Sequence, residues 1–222
     1  NQIIMPPLTQ FLGPHICNRE NIKISEEHKI LSELEKQIVG FSRYEQRWQY
    51  IYDNWLVYYW ENYKQTSKYT YIIDTTINVD ELWKKVRSST RSDINKSKKL
   101  GIKIKFNLDF DEFFKLIEGT FSKQNLKLPY SKNMLKDLTE SCKKRNVGEI
   151  LFAVNQDDQV IASSFLVWDK YSTYYILSGI DDNFKKTGAS SFLMWESILF
   201  GSTKAPTFDF EGVNDQKNRN IF

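Results

Sequence analysis

The sequence predicts an α+β fold in which helices flank a mostly antiparallel sheet. Helix-like and strand-like patterns follow one another as helix, strand, two helices, three strands, helix and strand, an order typical of one sheet covered by helices. The 222 residues are 41% hydrophobic, which is enough chain for one large or two small globular domains. Residues 1–70 differ in pattern from residues 71–222, and we expect a domain boundary between them.

The opening of the chain predicts extended structure followed by a single helix. Residues 3–16 are apolar but contain three prolines and Gly13, which disfavours a helix and favours extended chain with turns. A helix is then predicted from Ser25, as N-cap, to Gly40, because apolar residues recur at helical spacing between them.

Twelve aromatic side chains follow between Phe41 and Tyr71. A density of rings as high as this predicts a core or domain-interface wall. The alternative is a stacking platform for a base or a sugar.

A basic helix is predicted from Asp80 to Leu100. Its apolar side consists of Leu82, Val86, Thr90, Ile94 and Leu100. The stretch from Asp80 to Lys105 carries nine basic and three acidic side chains. Helical spacing aligns four of the basic residues in a stripe. This stripe is either a solvated face or a surface for a phosphate or an RNA backbone; its members are Lys84, Arg87, Arg91 and Lys98.

The sequence after residue 101 predicts further strands and helices. A strand over 102–106 precedes helices over 111–124 and 131–145, and turn residues separate three strands that we expect to form an antiparallel meander. A helix over 188–200 and a last strand over 207–211 complete the pattern; the three meander strands are predicted over 149–154, 160–168 and 173–177.

Composition excludes several function classes. Two histidines near the start and two distant cysteines argue against a hydrolytic triad and a zinc cluster, so no metal is expected. The nine glycines are too scattered for a Walker or dinucleotide loop. The charge of +3 is nearly balanced, and no apolar stretch approaches the ~20 residues that span a bilayer. We therefore expect a cytoplasmic protein without membrane insertion, and both ends suggest part of a longer chain.

Four segments, in this order and spacing, resemble the FemABX-like branch of the acyl-CoA N-acyltransferase (GNAT) superfamily. They read RSDINKSKKLGIKI at 91–104, QVIASSF at 159–165, YYILSG at 174–179 and FDFEGV at 208–213. The resemblance covers residues 70–215 and implies a GNAT-like sheet. The sequence PPLTQFLG at 6–13 is similar to the remnant of a preceding half-domain, so residues 1–70 would be a partial GNAT-like companion segment.

The resemblance also implies a donor site. GNAT enzymes hold the pyrophosphate of acyl-CoA on a Gln/Arg-x-x-Gly-x-Gly/Ala loop at a helix N-terminus, and FemABX-like enzymes take an aminoacyl group from a charged tRNA. The equivalent loop here departs from that pattern at its first and last positions, so the donor stays undecided between acyl-CoA and aminoacyl-tRNA. The loop residues are Lys185, Lys186, Thr187, Gly188, Ala189 and Ser190, with Ser178 at the end of a neighbouring strand.

The strongest candidates for catalysis are Asp209 and Glu211. On an extended strand both point to one face, and two adjacent carboxylates disfavour double ionisation, which suits one of them to act as general base. Either Tyr174 or Tyr175 can reach the same cleft, and we take Tyr174 as a possible proton donor. Arg91 and Lys98 are candidate anion-binding residues.

Together these features predict a transferase that moves an acyl or aminoacyl group to an amine. By resemblance, the acceptor would be a sugar, a nucleotide-sugar or a peptidoglycan-type precursor of the cell envelope, with tRNA as a possible partner. One alternative is a non-catalytic GNAT-like module that binds a ligand or a partner protein. A third interpretation is a tRNA- or RNA-binding domain without transfer, which would use the basic stripe.

Overall fold

The computed structural model describes residues 1–17 and 19–212, which divide into two compact units. The first unit is Asn1–Lys68 and the second begins at Tyr69. This boundary lies close to the predicted one. The interpretation of the first unit as part of a companion domain stays a prediction.

The first unit is built on one helix and a pair of very short strands. Strands β1 (Gln2–Ile3) and β2 (Arg43–Tyr44) pair in parallel. Helix α1 (Ile24–Ile38) begins one residue before the predicted cap, because the Glu26 carboxylate accepts the backbone N–H of Lys23. A short helix α2 (Leu56–Trp60) packs beside α1.

Part of the aromatic-rich stretch forms the core of this unit. Tyr58 is buried with Leu31 and Val57, and further rings pack around them. The Tyr44 ring stacks on Tyr58 with centroids 6.0 Å apart. The core interpretation therefore holds for these rings, whereas Trp60 and others remain exposed.

The second unit is a six-stranded sheet with helices on both faces. Its strand order is β3-β8-β7-β6-β5-β4, and every neighbouring pair is antiparallel except β7 and β8. The predicted α+β class with a mostly antiparallel sheet is confirmed. Its strands are β3 (Ile72–Asp74), β4 (Lys103–Lys105), β5 (Gly148–Val154), β6 (Val160–Trp168), β7 (Ser172–Ile180) and β8 (Thr207–Asp209).

Two hydrophobic clusters cover the two faces of the sheet. One lies under the last helix and includes Phe192, Leu193 and Phe208; the other lies under α5 and α6 and includes Phe113 and Phe165. The helices of this unit are α3 (Val79–Lys85), α4 (Ser88–Lys99), α5 (Phe110–Lys123), α6 (Lys132–Lys144) and α7 (Ala189–Ser202), with a 3-10 helix over Asp182–Thr187.

The single basic helix predicted from Asp80 to Leu100 is wrong. Val86 and Arg87 adopt extended backbone, so α3 ends before them and α4 begins at Ser88. The break lets Leu82 on α3 and Ile94 on α4 reach the same hydrophobic cluster, and burial of both outweighs the continuity of one helix. Leu100, predicted on the apolar side, is 44% exposed.

Candidate functional site

The sheet splits between β7 and β8. Their parallel ladder ends at the pair Tyr174–Asp209, whereas β7 continues to Ile180. A β-bulge at Ile176 bends β7 just beyond this point. Among the described residues, the edge of β7 that faces away from β6 therefore has no strand partner after Tyr174, and backbone groups along it can pair with an extended ligand. The carbonyl of Ile180 is an exception, because it accepts a hydrogen bond from the Lys123 ammonium at 2.9 Å.

Asp209 lies at the point where β7 and β8 separate. It is the last residue of β8 and is fully buried. Its Oδ1 accepts hydrogen bonds from the Thr70 hydroxyl and, at 2.7 Å, from the Glu211 N–H. Its Oδ2 is buried and has no hydrogen-bond partner among the described residues. A buried carboxylate oxygen without a partner is costly, which marks Asp209 as a candidate for binding or catalysis.

Glu211 is not on the strand, so the prediction that it shares a face with Asp209 through strand alternation is wrong. Strand β8 ends two residues earlier than predicted, and Glu211 has a φ of +65°. The physical reason is the hydrogen bond from the Glu211 N–H to the Asp209 carboxylate, which folds the chain into a tight turn. The two acids belong to one turn instead of one strand face.

The two tyrosines of β7 lie on opposite faces, as predicted. Tyr174 is buried beside Asp209, and its hydroxyl donates to Asp169 Oδ2 at 3.1 Å, at the start of β7. This contact points the hydroxyl away from the split and favours a structural role. Tyr175 packs on the other face against Phe208, and burial raises the pKa of its phenol to about 12, opposed by a hydrogen bond with Ser178.

The predicted donor loop is held by α4. The Ser97 hydroxyl donates to the carbonyl of Thr187 at 2.9 Å, and Lys96 donates to the carbonyl of Lys186. Gly188, the N-cap of α7, has a φ of +80°, and a Cβ there would stand 2.3 Å from the carbonyl oxygen of Asp93. The glycine is therefore required by the packing of α7 on α4.

The packing of α7 on α4 disfavours a pyrophosphate beside Gly188. The space beside Gly188 is filled by the Asp93 backbone, and the Asp93 carboxylate accepts the Ser191 hydroxyl at 3.4 Å in the first turn of α7. A negative charge at this position already interacts with the helix dipole and repels a second anion. Lys185 is engaged in an ion pair with Asp182.

The candidate anion-binding residues lie on one helix. Arg91 is half-buried and Lys98 is exposed, seven residues apart on α4, with the Lys98 ammonium 6.0 Å from the centroid of the Trp83 ring. Because the predicted helix is broken, Lys84 lies on α3 and does not extend this pair. Burial also raises the pKa of the Glu196 carboxyl on α7, an effect that the charge of Lys98 opposes.

Sequence reasoning missed three residues that shape the site. They are Thr70, Asp93 and Asp169, whose side chains or backbone contact predicted residues from distant parts of the chain. Only Thr70 carried a usable signal, because the alternation of rings and small residues from Tyr69 to Asp74 resembles a strand. Among the described residues, no group of three or more potential ligands is placed to hold a metal ion.

A family model described as an acetyltransferase (GNAT) domain matches residues 84–215. Two solved structures resemble the fold. FemX has a TM-score of 0.60 at 11% identity, covering 68% of this chain and 54% of that one. L-PGS from Bacillus licheniformis has a TM-score of 0.58 at 12% identity, covering 82% and 55%.

The chain thus spans about half the length of these two structures. No curated protein matches the sequence. No helix in residues 1–17 and 19–212 is long and apolar enough to cross a membrane.

Proposed function

This chain belongs to the acetyltransferase (GNAT) domain family, and on that premise we propose that it transfers an acyl or aminoacyl group to a primary amine, with Asp209 as general base. The match over residues 84–215 confirms the GNAT superfamily predicted from the sequence, and this membership supports an N-acyltransferase activity. The observation that carries the proposal is the buried, unpartnered Oδ2 of Asp209 at the split between β7 and β8.

In the proposed reaction the Asp209 carboxylate accepts a proton from the amine and returns it to the leaving group. The acceptor nitrogen attacks the carbonyl carbon of the donor, a C–N bond forms, and Asp209 Oδ2 takes the proton that the nitrogen loses. The bond between the carbonyl carbon and the donor's leaving group then breaks, and the leaving group receives the proton. Backbone N–H groups on the free edge of β7 are suited to stabilise the oxygen that becomes negative during the attack.

The donor is better matched by an aminoacyl ester than by acyl-CoA. Asp93 and the packing around Gly188 disfavour a pyrophosphate at the N-terminus of α7. We therefore do not propose acyl-CoA as the donor. An aminoacyl-tRNA, which the sequence resemblance implies, needs a basic surface instead, and Arg91 with Lys98 on α4 is the candidate. The acceptor classes that follow from the resemblance are amino sugars, nucleotide-sugars and peptidoglycan-type peptides, and a cytoplasmic location stays a prediction.

The test is a transfer assay with labelled donors. The purified chain is incubated with a labelled aminoacyl-tRNA pool or labelled acetyl-CoA, and with glucosamine, a UDP-linked amino sugar or a lysine-containing peptidoglycan peptide. We expect Asp209→Asn, which keeps the shape of the side chain, to lower the turnover by about 10²–10⁴-fold. The thermal midpoint of each variant shows that it folds.

Asp74→Asn is the matched control, because Asp74 is exposed on the neighbouring strand β3. It should leave the turnover unchanged. Full turnover by Asp209→Asn would refute the base assignment. No transfer by the wild-type chain from either donor would refute the enzymatic function and favour a binding module.

A further inference from the structure

The segment Tyr69–Tyr71 contacts the turn that carries Asp209, although it lies outside residues 84–215. The Thr70 hydroxyl donates to Asp209 Oδ1. The Phe210 N–H donates to the carbonyl of Tyr71 at 3.1 Å. Gly212 has a φ of +89°, and a Cβ there would stand 2.9 Å from the carbonyl oxygen of Tyr69. Three consecutive residues of this segment therefore contact three positions of the turn.

The position of the segment follows from the sheet. Within the part of the chain that the structure describes, β3 is an edge strand that pairs with β8 alone, in the register Ile72–Asp209. Strand β8 has β7 on its other side, and that ladder stops at Asp209. Asp209 is thus paired with Ile72 of β3 at the position where the β7–β8 ladder ends.

The hydrogen bonds to Asp209 divide its two oxygens. Oδ1 receives two donors, one from a side chain and one from the backbone, while Oδ2 receives none from the described residues. Two donors on one oxygen fix the rotation of the carboxylate group. The other oxygen keeps its lone pairs without a donor among the described residues, which leaves it able to accept a proton.

We propose that Thr70 is a positioning residue for Asp209: its hydroxyl holds Oδ1 so that Oδ2 faces the reacting amine. The inference rests on the proposed function, since it needs Asp209 to act as base. It assigns a role in the reaction to the strand that precedes the family-matched region, beyond completing the sheet.

The experiment compares three threonine variants in the transfer assay described above. Thr70→Val removes the hydroxyl but keeps the shape, and we expect kcat to fall about 10–100-fold with KM within about twofold, because a misaligned group costs rate more than binding. Thr70→Ser restores the donor and should recover kcat to within about threefold.

Thr76→Val is the matched control. Its hydroxyl also donates to an aspartate, Asp74 Oδ1, at 2.6 Å, but on the exposed surface after β3. It should leave kcat unchanged. Thermal midpoints of Thr70→Val and Thr70→Ser separate a folding defect from a positioning defect, because a merely structural role would lower the midpoint without the split between kcat and KM.

The outcomes separate the role proposed for Thr70 from the function proposed for the chain. Wild-type kcat in Thr70→Val, with Asp209→Asn inactive, overturns this inference and leaves the proposed function intact. Failure of Thr70→Ser to restore kcat also overturns it. Full activity of Asp209→Asn, or no transfer by the wild-type chain, overturns the proposed function and this inference with it.

Discussion

The start of α7 and the end of β8 are two places where the sequence pointed to a site, and their hydrogen bonding in the structure differs. At the start of α7 several groups have partners within the protein: Ser97 donates to the carbonyl of Thr187, and the Asp93 backbone lies against Gly188. At the end of β8, Asp209 keeps one buried oxygen without a partner among the described residues.

The difference shows how to separate a motif that binds from one that packs. The sequence of the loop around Gly188 resembles a cofactor-binding motif, yet its glycine is required by the close packing of α4. Asp209 belongs to a less distinctive sequence, but its hydrogen-bonding capacity is unmet in a buried place. Unmet capacity points to a ligand more directly than a sequence pattern does.

Replacing Gly188 by alanine should produce the largest effect on stability. The new Cβ would clash with the Asp93 carbonyl and force a positive φ on a non-glycine residue, so we expect a loss of about 3 kcal/mol in the free energy of unfolding. For a chain of this size this lowers the thermal midpoint by about 6–12 °C.

The control for this variant is Gly101→Ala in the same unit. Gly101 also has a positive φ, +67°, but the atoms near its Cβ position belong to the Gln156 side chain, which can rotate away. We expect it to cost about 1 kcal/mol. Equal losses in the two variants would show that the contact with α4 is not what fixes Gly188.

The alkaline stability of the second unit should depend on Tyr175. Its folded pKa of about 12 exceeds the unperturbed value of 10.0, so between these pH values the folded state keeps a proton that the unfolded state loses. Stability therefore falls as the pH rises through this window, by up to about 1.4 kcal/mol per pH unit, and is unaffected below it. Denaturant unfolding at pH 9 and pH 11.5 measures the loss.

Tyr175→Phe should remove this part of the pH dependence, since phenylalanine has no proton to lose. Tyr69→Phe, at a position that is 79% exposed, should leave it unchanged. If Tyr175→Phe shows the same fall between pH 9 and pH 11.5 as the wild type, the phenol is not sequestered from water beside the split in the sheet.

CoA should have the smallest effect, because the start of α7 is occupied by packing contacts. At 1 mM CoA we expect the thermal midpoint to move by less than about 1 °C. A site with a Kd of about 10 μM would stabilise by about 2.7 kcal/mol at this concentration and shift the midpoint by several degrees. Pantetheine, which lacks the pyrophosphate, is the matched ligand, and a shift with CoA alone would contradict the packing interpretation.

Much of the fold could be predicted because its elements carry local patterns. The strand Val160–Trp168 and the capped helices α5 and α6 lie within one or two residues of their predicted bounds. The errors occur where local preference competes with a distant contact. The run from Asp80 to Leu100 could form one helix, but it is broken at Val86 and Arg87, and Leu82 and Ile94 are buried in one cluster on either side of the break.

The candidate site was predicted only in part. The residue types around Asp209 and the family resemblance followed from the sequence, and Asp209 remains the proposed base. The sequence pattern did not reveal that Glu211 turns out of the strand, because this depends on a hydrogen bond to the Asp209 side chain. Nor did it connect Thr70 with Asp209, which lie 139 positions apart.

The sequence by itself determined the class of fold and most of its later elements, since hydrophobic periodicity and turn residues act over a few neighbouring positions, and its motifs pointed to the family. The tertiary structure alone decided which glycine serves packing and which carboxylate oxygen lacks a partner. Both depend on what arrives from elsewhere in the chain: Asp93 against Gly188, and Thr70 on one oxygen of Asp209. Contacts of this kind are fixed only when the whole sheet and its helices pack together.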